Sequence, residues 1–390
     1  MRDVAVVGYA RTGIGKANRG ALNQTHGIAM TAHVMREALA RARVEAAEIE
    51  DVVIGCGLPE GATGHNVARN SALELGANVP GVTINRYCGS GMSAASIAAN
   101  RIASGESDVV IAGGVESISL VQSHLRLDGF FYEPLRARMP SVWWPMIQTA
   151  DFVAQKYGIT REQQDAYALR SQQRVEAARA RGVFADEIAP ITVTMKVLDK
   201  ATATTSEKQV TLDRDEGPRP DSTLAGLAAL KPVAPGGTIT AGNASQLSDG
   251  AAALVMIDAA LASKRGLPIL GLFRGMQLAA VAPEEMSIAI APAIEKLLAR
   301  HALAKHAVDL WELHEAFAVT TLYNQAKLDT PWDITNVNGG AVPLGHPYGM
   351  SGIRYIGSTL YELARRGKRT AVCGVCTAGG MATAVHLERP

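Results

Sequence analysis

The sequence predicts an α/β fold in which two duplicated α/β/α halves pack pseudo-symmetrically, with a loop domain inserted between them. Three observations support this prediction. Short β-rich runs alternate with alanine-rich stretches of helical period, the second half of the chain repeats the plan of the first, and the segment between them differs in composition. With 390 residues, 47% of them hydrophobic, the chain can bury a large core and is not a disordered protein.

The first half contains three predicted strands separated by predicted helices. The strands cover residues 51–54, 81–84 and 108–112, and the helices cover residues 66–75 and about 89–103. Because parallel strands need a crossover connection, and a helix usually supplies it, this alternation predicts a parallel sheet.

The second half of the chain repeats the spacing of the first. The interval from Asp51, at the start of a predicted strand, to Gly91 is 40 residues, and the same interval separates Asp309 from Gly349. The matched positions include a repeated Gly-Met-Ser motif, Gly91-Met92-Ser93 with Gly349-Met350-Ser351, and two further pairs, Cys56 with His314 and Cys88 with His346. The agreement of register and motif predicts that Cys88 and His346 meet where the two halves face each other.

Composition divides the chain into three predicted segments. Residues 1–119 form an N-terminal half, residues 120–241 an inserted loop domain, and residues 242–390 the remaining strand of the N-terminal half followed by the C-terminal half. The insert has a charged helix over about 161–181 and a polar, turn-rich stretch over 202–221. It also carries a group of aromatic residues within a short stretch, namely Phe130, Phe131, Tyr132, Trp143 and Trp144.

Charge and hydropathy exclude several classes of partner. The 38 Lys and Arg residues nearly balance the 37 Asp and Glu residues. The formal charge of +1 therefore indicates no excess of positive charge that would favour binding to nucleic acid or an anionic membrane. No uncharged apolar run approaches the ~18 residues of a membrane span, so we expect no transmembrane helix. Residues 4–7 already form a β-rich run, which leaves no room for a signal peptide, and we expect a cytoplasmic protein.

Four cysteines do not make a disulfide framework in a chain of this length. Cys373 and Cys376 form a Cys-x-x-Cys pair, but no second pair of ligands stands at a spacing suited to zinc. A thioredoxin-type redox pair would open a helix soon after a first strand, whereas this pair lies near the end of the chain. We therefore expect neither a metal nor a redox cofactor.

One cysteine lies at a predicted strand-to-helix junction. Cys88 is followed by Gly89 and Gly91, and a thiol at a helix N-terminus meets the positive end of the dipole and free backbone N–H groups. Both effects lower the pKa of a thiol, and glycines let a substrate carbonyl approach the backbone. The same pattern also suits a small buried cysteine at a tight turn.

Two histidines and a second thiol complete a candidate reactive set. His346 lies in a Gly- and Pro-rich loop before a helix, where it can take a thiol proton. His314 ends a predicted strand, a position where α/β folds place ligands. Cys376 follows the last buried strand and stands beside glycines, where it can act as an acid or base; a buried, inert cysteine suits that position as well.

The ordered set of motifs resembles the thiolase family from the first strand to the last. Those motifs are Cys88-Gly89-Ser90-Gly91, His314-Glu315-Ala316-Phe317, Gly345-His346-Pro347 and Cys376-Thr377-Ala378-Gly379-Gly380. In addition, Thr240-Ala241-Gly242-Asn243-Ala244-Ser245 resembles a coenzyme A-binding loop of that family. The resemblance implies a five-layer αβαβα arrangement of the two halves and a homodimer or homotetramer.

The resemblance also implies a role for each reactive side chain. The cysteine matching Cys88 is the acyl-carrying nucleophile, and the histidine matching His346 activates it. The cysteine matching Cys376 moves the proton at the α-carbon of acetyl-CoA. The residue matching His314, asparagine in many members, helps to build an oxyanion hole, and its histidine form resembles the degradative thiolases of β-oxidation.

The same resemblance implies roles for backbone N–H groups and for loop residues. The N–H groups of Cys88 and Ala378 are expected to form a second oxyanion hole. Ala378 replaces the first glycine of the commoner Cys-x-Gly-Gly-Gly motif, which reduces the space for the thioester. Ala244, Ser245 and Gly379 are expected to contact coenzyme A or the substrate. Coenzyme A and acyl-CoA thioesters are the implied substrates, without any further cofactor.

Other functions remain open on the sequence. An acetoacetyl-CoA thiolase has the same motifs, and a ketoacyl synthase shares the duplicated fold and a Cys-His-His set but has no need for Cys376. A dinucleotide-binding oxidoreductase is suggested by Gly55, Gly57 and Gly61 after a strand, although the spacing is one residue too long and Pro59 disturbs the helix start. A non-catalytic acyl-CoA-binding protein would not need all four reactive side chains.

Overall fold

The computed structural model describes residues 1–199 and 201–390. Within these residues it contains one large mixed sheet of ten strands and a separate two-stranded hairpin. The strands are β1 (Val4–Arg11), β2 (Gly15–Lys16), β3 (Asp51–Cys56), β4 (Gly81–Ile84), β5 (Val109–Glu116), β6 (Ile191–Leu198), β7 (Thr205–Leu212), β8 (Ser248–Asp258), β9 (Gly271–Ala280), β10 (Leu310–Leu313), β11 (Thr370–Thr377) and β12 (Met381–Glu388).

Helices connect most of these strands. The α-helices of the described part are α1 (Gly27–Ala42), α2 (Val67–Leu75), α3 (Ser90–Ser104), α4 (Ile118–Val121), α5 (Glu133–Arg138), α6 (Met146–Lys156), α7 (Arg161–Ala180), α8 (Leu224–Ala228), α9 (Ala259–Lys264), α10 (Ile290–Arg300), α11 (Ala318–Leu328), α12 (Ala341–Leu344) and α13 (Tyr348–Arg366). Short 3-10 helices cover Ala46–Glu48, Gly61–Thr63, Tyr87–Gly89, Gln122–His124, Pro140–Trp143, Pro283–Ile288 and Lys305–Ala307. None of the helices described here is both long and apolar enough to cross a membrane.

The order of the strands confirms the predicted duplication. The sheet runs β10-β11-β12-β9-β1-β8-β5-β3-β4, and β2 pairs with β8. Strands β3 and β5 are parallel, and β8 and β1 follow in antiparallel pairs. In the C-terminal half, β10 and β11 are parallel, and β12 and β9 follow in antiparallel pairs. The two halves therefore share one topology and meet where β1 pairs with β9.

Three apolar clusters define the layers. The largest joins α3 and α13 to strands of both halves, so these two helices form the middle layer. A second cluster packs α1 and α2 on the outer face of the N-terminal half, and a third packs α10 and α11 on the C-terminal half. The N-terminal and C-terminal parts of the sheet lie on either side of this middle layer and are covered by the outer helices, which agrees with the predicted five layers.

The repeated Gly-Met-Ser motif brings α3 and α13 into close contact. A Cβ atom at Gly91 would lie 2.6 Å from the carbonyl oxygen of Gly349, and one at Gly352 would lie 2.4 Å from the backbone nitrogen of Met92. Both distances are too short for a side chain, so only glycine permits this crossing. The contact places the start of α3, next to Cys88, against the start of α13, next to His346.

The loop domain contains a feature that the sequence did not indicate. The stretch predicted as polar turns, residues 202–221, includes β7, which pairs antiparallel with β6. Most side chains of β7 are exposed and polar, so the strand lacks the alternation of apolar residues that would have revealed it. Its backbone is instead held by hydrogen bonds to the backbone of β6.

A buried charge cluster attaches the loop domain to the sheet. Arg11, at the end of β1, is fully buried; its Nε lies 2.9 Å from Glu187, and its two terminal nitrogens contact Asp215 at 2.7 and 2.9 Å. The planar guanidinium group matches the carboxylate of Asp215 in a bidentate pair. Both carboxylates come from the insert, so the cluster fixes the insert to the first strand.

Candidate active site

Cys88 lies in the 3-10 turn that leads directly into α3. Its neighbour Tyr87 has a φ of +45°, a left-handed conformation that is strained for a bulky residue. Two hydrogen bonds hold the turn: the N–H of Arg86 donates to Ser90 Oγ at 2.8 Å, and the Ser90 hydroxyl donates to the carbonyl of Tyr87 at 2.6 Å. These hydrogen bonds hold the strained turn and so fix the position of Cys88 at the start of the helix.

The pKa of Cys88 differs from the sequence expectation. Burial of the sulfur raises the pKa of the Cys88 thiol to about 12, whereas the backbone N–H groups of Ala378 and of Cys88 itself act in the opposite direction. These two N–H groups lower the pKa, but desolvation of the sulfur outweighs them. The resting thiol is consequently neutral and needs a base. The two N–H groups are those predicted for the second oxyanion hole, and both act on this sulfur.

His346 is buried beside the start of α13. Its backbone N–H donates to the carbonyl of Gln246 at 3.1 Å, and its Nδ1 lies 2.7 Å from Ser351 Oγ. Its Nε2 is buried without a hydrogen-bond partner among the residues described. Burial lowers the pKa of His346 well below its usual range, and the nearby His314 and Arg354 add to this effect. The imidazole is therefore neutral and has a nitrogen available for proton transfer.

His314 follows β10 and is fully buried. Its ring meets that of His346 edge to face with centroids 4.2 Å apart, and its Nδ1 lies 3.3 Å from Cys376 Sγ. The Nε2 atom has no partner in the described part of the chain. Burial and the charge of Arg354 lower the pKa of His314 to about 3, partly offset by the backbone of Cys376. His314 is thus a neutral group with one nitrogen facing a thiol.

Cys376 lies on β11, and its pKa is raised well above the usual value by burial and by the nearby Cys88. A Cβ atom at Gly89 would lie 2.8 Å from Thr377 Oγ1, so the turn that carries Cys88 packs on the strand end that carries Cys376. The structure therefore brings the four predicted reactive side chains into one cluster that joins the two halves; three of them are buried, and Cys88 is half-buried.

The Cys-x-x-Cys spacing does not produce a pair of facing thiols. Cys373 packs in the central apolar cluster, whereas Cys376 packs in the outer cluster of the C-terminal half. Residues three apart on a strand point to opposite faces, which explains the separation. Across residues 1–199 and 201–390, no group of three or more His, Cys, Asp or Glu residues could hold a metal ion.

The loop after Cys376 tolerates the alanine that replaces the first glycine. Gly379 and Gly380 have φ angles of +78° and +76°, in the left-handed region that favours glycine, whereas Ala378 is not among the residues with positive φ. The side chain of Ala378 thus introduces no backbone strain, and its N–H remains directed towards Cys88.

The predicted coenzyme A loop lies beside the loop that follows His314. The N–H and the hydroxyl of Ser245 both donate to the carbonyl of Ala316, at 3.0 and 2.9 Å, and Ala244 forms a β-bridge with Phe317. Both predicted contact residues are half-buried, so their outer faces remain open to a ligand.

Glu116 is a residue of the site that sequence reasoning missed. Its carboxylate accepts the N–H groups of Gly57 at 2.8 Å, Leu58 at 3.0 Å and Gly349 at 2.9 Å. It therefore links the N-terminal half to the first turn of α13, directly after His346. Burial raises the pKa of Glu116 to about 7. The available signal was an acidic residue at the end of an otherwise apolar strand.

The aromatic residues of the insert fall into two groups. Phe130, Phe131 and Tyr132 are exposed, and the two phenylalanine rings pack on Trp143. Trp144 instead packs on Phe152 with ring centroids 6.1 Å apart and lines a cleft of about 960 Å³. The first group is therefore located at the surface.

Comparison with protein families identifies the same family along nearly the whole chain. The family model described as thiolase, N-terminal domain, matches residues 4–260, and the model described as thiolase, C-terminal domain, matches residues 267–389. The chain is similar to the 3-ketoacyl-CoA thiolase of Bacillus subtilis (strain 168), with 39% identity and complete coverage of both chains.

Solved structures agree with this relationship. The crystal structure of the Bacillus anthracis acetyl-CoA acetyltransferase superposes with a TM-score of 0.90 at 36% identity and covers 100% of this chain and 99% of its own. The human mitochondrial 3-ketoacyl-CoA thiolase in complex with CoA gives a TM-score of 0.88 at 33% identity, with 100% and 98% coverage.

Proposed function

Because the chain belongs to the thiolase family, a family of acyltransferases, we propose that it catalyses the CoA-dependent cleavage of a 3-ketoacyl-CoA to acetyl-CoA and a shortened acyl-CoA. The observation that carries this proposal is the cluster formed by the half-buried Cys88 with the buried His346, His314 and Cys376. It supplies a nucleophile, a base, a hydrogen-bond donor and a second proton carrier, the groups that this reaction needs.

The first step is nucleophilic attack. The Nε2 atom of His346 takes the proton of the Cys88 thiol, and the resulting thiolate attacks the 3-keto carbon of the substrate. The Cys376 thiol donates to Nδ1 of His314, which leaves the proton of His314 on Nε2. The new alkoxide accepts hydrogen bonds from the Nε2–H groups of His346 and His314. Donors of this kind each lower a barrier by about 3 kcal/mol.

The second step breaks the carbon–carbon bond. The alkoxide collapses to a thioester on Cys88, and the bond between the α-carbon and the former keto carbon breaks. The electron pair of that bond passes to the acetyl-CoA enolate, which takes a proton from Cys376. Acetyl-CoA then leaves, with the acyl group on Cys88 and a thiolate on Cys376.

The third step returns the enzyme to its resting state. Coenzyme A gives its thiol proton to Cys376 and attacks the acyl-Cys88 thioester. The backbone N–H groups of Cys88 and Ala378 hold the second oxyanion, while Ala244, Ser245 and Gly379 contact the coenzyme. Cys88 leaves as a thiolate and regains its proton from His346. The scheme consists of a retro-Claisen cleavage of the carbon–carbon bond, a thioester exchange and proton transfers, with no net oxidation or reduction, so it needs no metal or redox cofactor.

A second candidate is a short-chain acetoacetyl-CoA thiolase, favoured by the similarity to an acetyl-CoA acetyltransferase. His314 favours the degradative reaction, because its histidine form resembles thiolases of β-oxidation. The test follows the loss of enolate absorbance of a series of 3-ketoacyl-CoA substrates when coenzyme A is added. We expect cleavage of several chain lengths; no cleavage of any of them would contradict the proposal.

We further propose a homodimer or homotetramer in which a second copy covers the edge of β4. This strand ends the sheet, and Val82, Tyr87 and Ile97 expose large apolar side chains around it, at 40%, 42% and 37%. An unpaired strand edge beside apolar surface favours pairing with another chain. Light scattering should give a multiple of 41.1 kDa, and Val82→Lys should lower it.

The proposed location is the cytoplasm, and the proposed partners are coenzyme A and acyl-CoA thioesters rather than nucleic acid or membranes. The free state of Cys56, Cys88, Cys373 and Cys376 in the described structure suits a reducing compartment. Cell fractionation tests this proposal, and recovery of the protein with an organelle would contradict it.

A further inference from the structure

Ser351 connects the imidazole of His346 to the backbone of its own helix. Its Oγ lies 2.7 Å from His346 Nδ1 and 3.0 Å from the carbonyl oxygen of Pro347, four residues earlier. Ser351 and His346 are both buried. The hydroxyl is therefore shielded from water, and its single proton must be shared between these two neighbours.

The directions of the two hydrogen bonds follow from the groups involved. A carbonyl oxygen can only accept, so the Ser351 hydroxyl donates its proton to Pro347, the common i−4 bond of serine in a helix. The Ser351 oxygen must then accept at its other contact, which is possible only if Nδ1 of His346 carries the proton. Since a neutral imidazole has one N–H, Nε2 is left with a free lone pair.

The geometry points to a role for this bond. We propose that Ser351 is a positioning residue that fixes His346 in the Nδ1–H tautomer, so that the unpartnered Nε2 is the basic nitrogen that takes the proton of Cys88. The proposal deepens the proposed function and rests on it for the identity of the proton donor. The tautomer itself is a property of the free protein and is independent of any substrate.

The hydrogen bond between His346 Nδ1 and Ser351 Oγ is also retained when His346 is protonated during the reaction. After His346 takes a proton, both of its nitrogens carry hydrogen, and Nδ1–H continues to donate to Ser351 without rearrangement. The imidazolium is buried near Arg354, whose charge disfavours a second cation, so a retained acceptor is more valuable there than at the surface. Without the hydroxyl, the ring loses both its preferred tautomer and its orientation.

The first test measures the tautomer directly. In nitrogen-15 histidine-labelled protein at neutral pH, long-range nitrogen–proton correlations should assign the proton of His346 to Nδ1, with His346→Asn identifying the signal. In Ser351→Ala, the same signal should shift towards a mixture of tautomers. A proton on Nε2 in the unsubstituted protein would overturn the proposal, whatever the enzyme is later found to cleave.

The second test measures the consequence for catalysis. Partners that orient metal-binding histidines contribute about 10- to 100-fold to activity, and we expect kcat of Ser351→Ala to fall by a similar factor. KM should change little, because Ser351 is shielded from the substrate. The rate of Cys88 alkylation by iodoacetamide should fall as well. Ser351→Thr keeps the hydroxyl and should restore most of kcat and of the alkylation rate.

A control on the same helix separates positioning from loss of stability. Ser358 also donates one hydrogen bond, to Glu187 at 2.8 Å, but lies two helical turns beyond Ser351 and therefore farther from His346. Ser358→Ala should leave kcat and the tautomer unchanged. Equal losses in Ser351→Ala and Ser358→Ala, or an unchanged kcat in Ser351→Ala, would overturn the role of Ser351. Absence of thiolysis in the unsubstituted protein would contradict the proposed function but not the tautomer.

Discussion

The imidazole rings of His314 and His346 lie edge to face with centroids 4.2 Å apart, and the Nε2 of each is buried without a hydrogen-bond partner in the described residues. Both histidines come from the C-terminal half, whereas Cys88 comes from the N-terminal half. The glycine crossing of α3 and α13 brings the two sides together. The reactive cluster therefore exists only where the duplicated halves meet, and neither half contains it alone.

The role of Cys88 predicts a loss of activity without a loss of the fold. Cys88→Ser should abolish acyl transfer, because an alcohol at neutral pH is a far poorer nucleophile than a thiolate, while circular dichroism stays unchanged. Iodoacetamide should label Cys88 before Cys56 and Cys373, since Cys88 is partly exposed and the other two are buried. Peptide mapping that finds Cys56 labelled first would contradict the assignment.

The role of Cys376 predicts different effects on the two half-reactions. Cys376→Ser should still form acyl-Cys88 from a simple thioester donor, because that transfer moves no α-carbon proton. Cleavage and condensation should both fall by orders of magnitude. Mass spectrometry of the acyl-enzyme and a cleavage assay measure the two activities separately. Equal losses in both would indicate that Cys376 has a structural role.

The sequence predicted much of this architecture because the signals were local. Residues 66–75 were predicted as a helix and α2 covers Val67–Leu75, whose end is marked by Gly76 in the left-handed conformation. The motif glycines and the equal spacing of the halves predicted the duplicated topology. These features depend on neighbouring residues or on the repeat, both of which are visible in one sequence.

Features that depend on distant partners could not be predicted. The pKa of Cys88 depends on how deeply the halves bury its sulfur, so the local argument from the helix start gave the wrong direction for the net shift. Glu116 acquires its role from three N–H groups, one of them over 200 residues away. In the sequence, nothing distinguishes Ser351 from other serines in helices. Its contact with the ring of His346 is visible only in the structure.

The position of His314 predicts a graded series of variants. His314→Asn should retain measurable activity, because the asparagine amide still offers an N–H donor for the developing oxyanion. His314→Ala should lose more, since it leaves the developing charge with one donor. The kcat of each variant for cleavage of one substrate gives the order of the three proteins. Full activity of the alanine variant would show that His314 has no role in the reaction.

The lowered pKa of His314 predicts a loss of stability in acid. Its pKa is about 3 in the folded protein and near the model-peptide value when unfolded, so between these values only the unfolded chain binds the proton. Stability should fall as the pH decreases from 6.5 towards 3, by up to about 1.4 kcal/mol per pH unit for this group. The pKa of His346 is also lowered, so its burial likewise decreases the stability of the folded protein in acid.

Urea unfolding at several pH values tests this dependence. His314→Asn should have a shallower decrease of stability in acid than the unsubstituted protein. His306→Asn removes an exposed histidine and serves as the control, which should keep the original slope. Equal slopes in all three proteins would show that burial of His314 does not oppose its protonation.

The two aromatic groups of the insert predict which residues control the acyl group. Trp144 lines the cleft of about 960 Å³ together with Phe152 and Val233, close in sequence to the proposed coenzyme A loop. Phe130 and Phe131 are exposed and pack on Trp143 instead. Trp144→Ala should therefore lower kcat/KM more for long acyl chains than for acetoacetyl-CoA. Phe130→Ala should leave kcat/KM for long chains, relative to that for acetoacetyl-CoA, unchanged.

The profile of chain length tests the preference itself. If the acyl group occupies an apolar cleft, each additional buried methylene contributes up to about 0.8 kcal/mol, or a factor of roughly four in kcat/KM, until the cleft is full. We expect chains longer than acetoacetyl to be cleaved with higher kcat/KM, and we expect Trp144→Ala to flatten this increase. A profile that peaks at acetoacetyl-CoA and falls for the next longer chains would instead favour the short-chain thiolase, because the additional methylenes would then find no apolar surface to contact.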